Sequence, residues 1–501
     1  MAMFASSKQV VVIGAGIGGL TTAALLARQG YAVRVFDQAI VPGGCASTFK
    51  RRGFTFDVGA TQVAGLEPGG IHHQIFNELD VPLPQATPCD PACAVFLPGE
   101  QVPIQVKRDR TAWRTERQRQ FPGSERFWQL LENLFEVSWQ FQARQPVLPP
   151  RNGWDLWQLV QAVRPGTLTT LPYTFSTVGD ALRRLGLEGD RRLKTFLDLQ
   201  LKLYSQVDTD ETALLYAATA LSVSQTPQGL FHLKGSMQVL SDLLEKALVR
   251  DGGYLQMRHT VEQITTQNGR VTGVTVRNDK TKQSRVEPAD HVVANVTVQN
   301  LVQLLGHSAP SGYRRRVDNL PPASGAFVIY LGVEAAAIPS HCPPHLQFLY
   351  NYDGPIGENN SLFVSVSRPG DGRAPAGHAT LIASTFPDPA QWWQTDHYHQ
   401  LKQEFTNGAI HRLSSYFDLS PEHILHVEAA TPRTFARFTA RHQGLVGGLG
   451  MRVSTFGPFG FANRTPVKGL WLVGDSTHPG EGTAGVSYAA QTVAHQILAQ
   501  A

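Results

Sequence analysis

The sequence predicts a mixed α/β and α+β fold organised around a discontinuous, doubly wound domain, and three observations predict it. At the start of the chain a short apolar run, Val10 to Ile13, enters a glycine-rich turn and then a helix of small residues. Farther along, alternating runs at Ala326 to Gly332, Leu362 to Ser367 and Thr380 to Thr385 describe a separate, mostly antiparallel sheet. Near the end, Gly469 to Gly474 returns to the first pattern: a buried-type strand, a glycine-rich turn and a helix from about Ala484 to Leu498. A length of 501 residues is compatible with about three domain-sized units at roughly 150 residues each.

Taken in order, Val10 to Ile13 is the first strand and Gly14-Ala15-Gly16-Ile17-Gly18-Gly19 the turn that follows it. Thr21 to Arg28 reads as the helix, with Gly30 as its C-terminal stop. Tyr31 to Phe36 alternates as a second strand and ends at Asp37. Between Gln105 and Phe175 the spacing becomes helical, as in Phe127 to Phe141, and helix-like pattern continues from Thr177 to Thr219. Ser236 is placed to cap another helix. Strands resume with Val261 to Ile264 and Val271 to Val276, joined by Asn268-Gly269, a pair suited to the positive φ values of a tight hairpin. His291 to Val296 adds one more apolar strand.

Composition limits the function classes. The chain has 44 Lys+Arg and 40 Asp+Glu, a formal balance of +4, too mild for a surface devoted to nucleic acid. Only 17% of residues are charged, against about 25% in an ordinary soluble domain. Four cysteines form no disulfide framework and argue for a reducing, intracellular setting. No apolar run approaches the roughly 18 residues of a spanning helix. The surplus charge is local. Between Gln105 and Phe175 ten basic residues face six acids, and five of the eight tryptophans (Trp113, Trp128, Trp139, Trp154, Trp157) fall there. Arg with Trp is the pairing favoured at an anionic bilayer interface. The segment is therefore expected to face a membrane, against the alternative of a lid whose aromatics pack inward.

The chemistry rests on the glycines. Gly14, Gly16 and Gly19 match G-x-G-x-x-G after a strand and before a helix, with Asp37 at the end of the next strand. There the first glycine permits the turn, the second lets backbone approach a pyrophosphate, the third lets helix and strand pack, and the acid accepts from a ribose hydroxyl. A carboxylate at Asp37 disfavours a 2′-phosphate. A second glycine pair, Gly43-Gly44, followed by Lys50, Arg51, Arg52 and a run ending at Gly59, can wrap a dinucleotide longer than NAD. At the other end, Gly474-Asp475-Ser476-Thr477-His478-Pro479-Gly480-Glu481-Gly482 forms a polar turn before the last helix. His478 and Glu481 are the close titratable pair of that turn, able to move a proton or to brace the loop. Cys89 and Cys93 lack a metal-ligand partner set and read as packed thiols, His72-His73 reads as surface, Trp392 and Trp393 as core or rim, and no metal is expected.

These segments, with Arg258 to Ile264, resemble the FAD-dependent amine oxidase and carotenoid desaturase superfamily, and Gly469 to Gly482 is similar to the signature of phytoene desaturases and carotenoid isomerases. The run Pro42 to Gly59 and the C-terminal turn look most like the carotenoid 3′,4′-desaturases of photosynthetic bacteria. Many desaturases have small residues where Asp475 and Glu481 stand, and Asp475 resembles the isomerase and amine oxidase branches. The resemblance implies FAD held by Gly14, Gly16, Gly19, Asp37, Gly43, Gly44, Arg51, Gly59, Val261, Gly474, Asp475 and Gly482. It implies a carotenoid substrate, an unidentified electron acceptor and desaturation of a polyene. The alternatives are cis-trans isomerisation with reduced FAD and a non-catalytic lipid carrier resembling GDP-dissociation inhibitors. The implied division is an FAD-binding domain in three pieces (1–104, 226–300, 456–501), a helical insertion (105–225) and a substrate domain (301–455), with the enzyme seated on an anionic membrane.

Overall fold

The computed structural model describes residues 8–500. A five-stranded parallel sheet collects strands from distant parts of the chain, in the order Tyr254–Met257, Ala32–Asp37, Gln9–Ile13, His291–Ala294 and Leu470–Leu472. Its central strands are apolar on both faces because both are covered. Val10, Val12 and Val293 pack with helix Ile17–Arg28 and the C-terminal helix Thr483–Leu498, while Val11, Val292 and Leu472 pack with helix Val298–Leu305 on the other side. The helix at Ile17 begins four residues earlier than the sequence pattern places it, since the glycine turn itself enters the first helical turn. Gly30 does leave that helix with positive φ, and the hairpin at Asn268-Gly269 forms between strands His259–Gln267 and Arg270–Asn278.

A seven-stranded mixed sheet is the second layer. Its order is Ile424–Ala430, Phe327–Glu334, His378–Thr385, Ser361–Val366, His345–Leu349, Cys93–Phe96 and Ile104–Val106. All pairings are antiparallel except that of His345–Leu349 with Cys93–Phe96. The boundary expected at residue 104 therefore shifts. Strands Cys93–Phe96 and Ile104–Val106 belong to this sheet: they pair with each other locally, and Cys93–Phe96 joins His345–Leu349, some 250 residues away in sequence. One buried guanidinium ties this sheet to the rest. Arg373 reaches Asp57 at 2.9 Å and Asp371 at 3.3 Å, with His232 at 2.6 Å, so hairpin Thr48–Asp57 is locked to the loop after strand Ser361–Val366.

The region 105–225 is largely helical, and its tryptophans divide between the interior and the surface. Trp113 and Trp128 are buried with Phe121 and Phe196 in its own core. Trp139 lines the central cavity and Trp154 is half-buried; among the five tryptophans only Trp157 is exposed, at 57%. Several arginines are spent internally as well: Arg114 and Arg117 pair with Glu132, Arg119 with Glu116, and Arg110 with Glu136. Trp113 and Trp128 are thus withdrawn from the surface expected from composition, while Trp157 remains on it. An 18-residue helix, Glu125–Gln142, shows why: its buried positions recur on one face and charge cannot be told from its partners in sequence alone.

Two smaller expectations are corrected. Ser236 caps nothing with its side chain; the helix Gln238–Arg250 starts at Met237, whose backbone N–H donates to Asp57. His72 is buried, bonded to the carbonyl of Ala64 and to Ser487 Oγ, because it tethers helix Ile71–Glu78 to the C-terminal helix. Trp392 is core and Trp393 is at the rim, and Cys89 and Cys93 are buried free thiols. Among the described residues no group of three or more His, Cys, Asp or Glu side chains is arranged to hold a metal, and no helix is long and apolar enough to cross a membrane.

Candidate active site

A single cavity of about 790 Å³ runs from the end of the parallel sheet to the face of the mixed sheet. Its first half is made of backbone. Gly14, at φ +93°, leaves the first strand where a Cβ would lie 2.7 Å from the carbonyl oxygen of Asn295. Gly16 precedes the first helix with no side-chain cap, so the N–H groups of that turn point into the cavity with the helix dipole behind them. Gly43 donates to the carbonyl of Ala15 at 2.8 Å, and Gly44 and Gly59 continue the wall. Gly19 does not line the cavity. A Cβ on it would sit 2.1 Å from the carbonyl oxygen of Gly14, so its task is to let helix and turn touch.

Asp37 ends the second strand in the wall. Its carboxylate accepts from the N–H of Ala15 and of Ala39, each at 2.7 Å, while burial raises its pKa. Two backbone donors orient the oxygens and leave further lone pairs toward the cavity. Val261 lies beside it with His259 and Thr260. Arg51 does not join them. It stands on the outer end of its hairpin, half exposed, over the ring of Phe49 and 3.1 Å from Glu428, since strand alternation turns it away from the turn at Gly43.

The C-terminal turn closes the opposite wall. Gly474 (φ +120°) and Gly482 (φ +85°) bracket it, and helix Thr483–Leu498 starts at Gly482 without a side-chain cap. Asp475 accepts from Arg441 at 2.7 Å, both side chains largely buried. Glu481 also lines the cavity, where its Oε2 accepts from Gln206 Nε2 at 3.2 Å and its Oε1 has no partner. Burial, reinforced by the charge of Asp475, pushes its carboxyl well above the usual carboxylate range, which favours the protonated acid over the carboxylate. His478 is not in the wall. It packs between Phe456 and Tyr488, accepts from Gln142 Nε2 at 2.7 Å, and is lowered to about 4 by burial, hence uncharged. The pair expected from sequence therefore separates: Glu481 faces the cavity and His478 braces the loop from behind.

The second half of the cavity is apolar. Leu203, Tyr204, Tyr216, Ala220 and Val223 come from the helical region, and Val328, Phe363 and Phe386 from the mixed sheet. Three polar residues of the wall were not singled out from the sequence. Asn295 follows a parallel strand and sits against the glycine turn, a position that the C-terminal ends of such strands mark in advance. Arg441 and Gln206 carry no such signal, because only folding brings them beside Asp475 and Glu481.

The profile of the flavin-containing amine oxidoreductase family matches residues 17–498. The chain belongs to that family. It is 27% identical to a chloroplastic prolycopene isomerase of an Oncidium hybrid cultivar over 99% of this chain and 84% of that protein. It is 24% identical to a 4,4′-diapolycopene oxygenase of Methylomonas (98% of each chain), and 25% to a zeta-carotene-forming phytoene desaturase of Myxococcus xanthus (99% and 95%). An oxidoreductase from Methanosarcina mazei shares the fold at TM-score 0.65 and 18% identity, over 97% of this chain and all of that one. Cyclohexylamine oxidase from Brevibacterium oxydans does so at 0.63 and 18%, over 98% and 100%.

The cofactor of this flavoprotein is FAD, and the residues present fit it. Two uncapped helix starts supply N–H donors, the glycines leave room for a pyrophosphate against backbone, and Asp37 offers acceptors for a ribose. Bound flavin supplies two-electron redox chemistry. The protein holds it, excludes water with the apolar half, and places Glu481 and Gln206 where the two halves meet.

Proposed function

We propose that this chain acts on the polyene of a carotenoid and introduces a double bond into it. The observation that carries the reading is the continuity of one cavity, polar and glycine-lined at one end, apolar at the other, so that a hydrocarbon lies beside the cofactor without a charged group to solvate. The names of the matched desaturases and isomerases support the substrate class. Net loss of two hydrogens requires an electron acceptor to restore the flavin. Purified holoenzyme offered an all-trans and, separately, a poly-cis carotene tests the reading: desaturation gives a product two hydrogens lighter, and return of unchanged all-trans carotene in the presence of acceptor refutes it.

A second reading is cis-trans isomerisation, favoured by a carboxyl, Glu481, in the cavity wall whose pKa burial raises, and by the matched prolycopene isomerases. Its product has unchanged mass and a shifted spectrum. Retention of a tightly bound flavin by the purified protein separates both readings from a lipid carrier.

The membrane seat is part of the proposal, moved from the tryptophans to a shorter segment. Leu156, Trp157, Val160, Leu168, Leu171 and Phe175 are all more than half exposed within twenty residues. The single acid between Arg151 and Phe175 is Asp155, which is buried on Arg464 and Gln496, while Arg151 and Arg164 are exposed. An apolar face with basic flanks and no exposed acid suits an anionic lipid surface. Liposome flotation tests it: Trp157→Ser with Leu171→Ser and Phe175→Ser lowers binding, and equal binding sinks the idea.

A further inference from the structure

Glu481 and Gln206 form a hydrogen-bonded acid–amide pair in the cavity wall. Gln206 is 4% exposed, holds a left-handed backbone (φ +65°) at the end of helix Arg191–Ser205, and has an unpartnered Oε1. A side chain other than glycine kept in that conformation, with an unsatisfied oxygen, marks a position the surrounding fold enforces. Gly447 presses on the pair from the loop opposite: a Cβ there would lie 2.2 Å from Glu481 Oε2 and 2.5 Å from Gln206 Nε2. The amide and the carboxyl are thus clamped together at the junction of the two halves, with Tyr216 on the apolar side and the Asp475–Arg441 pair on the other. Two unpartnered oxygens, one on each member, remain buried.

We propose that Glu481 is the proton donor of the cavity and that Gln206 is its positioning residue. This rests on the isomerisation reading. The carboxyl proton adds to one carbon of a polyene double bond, and the π pair becomes the new C–H bond. The positive charge left behind spreads along the conjugated chain. The former double bond rotates, a proton returns to the Glu481 carboxylate, and the π bond re-forms; no electrons are gained or lost. Asp475, Arg441 and Tyr216 are the ionisable groups facing Glu481. Asp475 favours the neutral acid, and Arg441 and the Gln206 hydrogen bond oppose it.

The test uses holoenzyme and a poly-cis carotene across pH. The expected result is mass-neutral isomerisation whose rate falls as pH rises through the elevated Glu481 pKa, by the reasoning that only the acid form donates. Glu481→Gln is expected to lower the rate by about 10²–10⁴-fold with flavin content unchanged, and Glu481→Asp to recover part of it. Gln206→Leu removes a hydrogen bond that lowers the pKa, so the descending limb moves to higher pH. Independently of turnover, an infrared carboxylic-acid band that persists above the ordinary carboxylate range in the holoenzyme is expected to be lost in Glu481→Gln. An isomerisation rate in Glu481→Gln equal to that of the unaltered chain, or no such band, overturns the proton-donor role while leaving the isomerisation reading intact. A product two hydrogens lighter with no isomer overturns the isomerisation reading itself, and the role with it.

Discussion

In the nucleotide half of the cavity the wall is backbone, shaped by Gly14, Gly16, Gly43 and Gly474, and its one buried carboxylate near the first turn, Asp37, is held by two neighbouring N–H groups. In the apolar half the wall is side chain, drawn from a helical region and a sheet that meet only in the folded protein. Its frame depends on buried charge: Arg373 between Asp57, Asp371 and His232. The first half is thus sensitive to added atoms and the second to removed ones. A missing Cβ costs little in sequence length and is local, whereas a guanidinium shared by three segments has to be satisfied by all of them at once.

The largest effect that sharpens this contrast is acid. His72, His291 and His478 are each lowered by burial to about 4. Between that value and the unfolded value near 6.5 the unfolded chain binds the extra protons, so stability is full above about pH 6.5 and falls with pH toward 4, by about 1.4 kcal/mol per pKa unit for each group. Thermal unfolding at pH 7.5 and pH 5 measures it, and equal midpoints would remove these histidines from the account. Next comes Arg373→Met, which strands Asp57 and Asp371 and is expected to cost about 3–5 kcal/mol; urea unfolding reads the loss. Gly19→Ala is expected to cost about 1–3 kcal/mol by overpacking against Gly14, together with a drop in bound flavin seen at 450 nm. An alanine variant that keeps its flavin and its midpoint would break the claim that this half is limited by added atoms. The smallest effect is Arg51→Ala, expected within about 0.5 kcal/mol and with flavin affinity unchanged; a clear loss of flavin would return Arg51 to the site.

Legibility followed the range of the contacts. Gly14, Gly43 and Gly474 were readable because each holds a positive φ that favours glycine, and Asp37 because its neighbours Ala15 and Ala39 hold its oxygens; Gly16 was readable from the motif, though its close contact is the distant Asn295. Asp475 and Glu481 were readable by position, but their difference was not. One carboxylate is paired by Arg441 and the other accepts from Gln206, and both partners are remote in sequence. His478 and Arg51 were misplaced for the same reason: a motif names the loop or strand, and the direction of a side chain on it depends on what packs behind. Trp113 and Trp128 show the limit of composition, since Arg and Trp together describe a membrane face and a cation-lined core equally well until Glu132 and Phe196 are in place.

The sequence by itself determined four strands of the parallel sheet, the dinucleotide turn, the acid at the second strand and the glycine-rich closure, each written in a local run of apolar residues or glycines. Tertiary structure alone decided which strands complete the mixed sheet, which tryptophans face water, and which of His478 and Glu481 meets the cavity. Those outcomes are set by desolvation and by partners hundreds of residues away, and a buried group's protonation and direction have no meaning until the surfaces that bury it have come together.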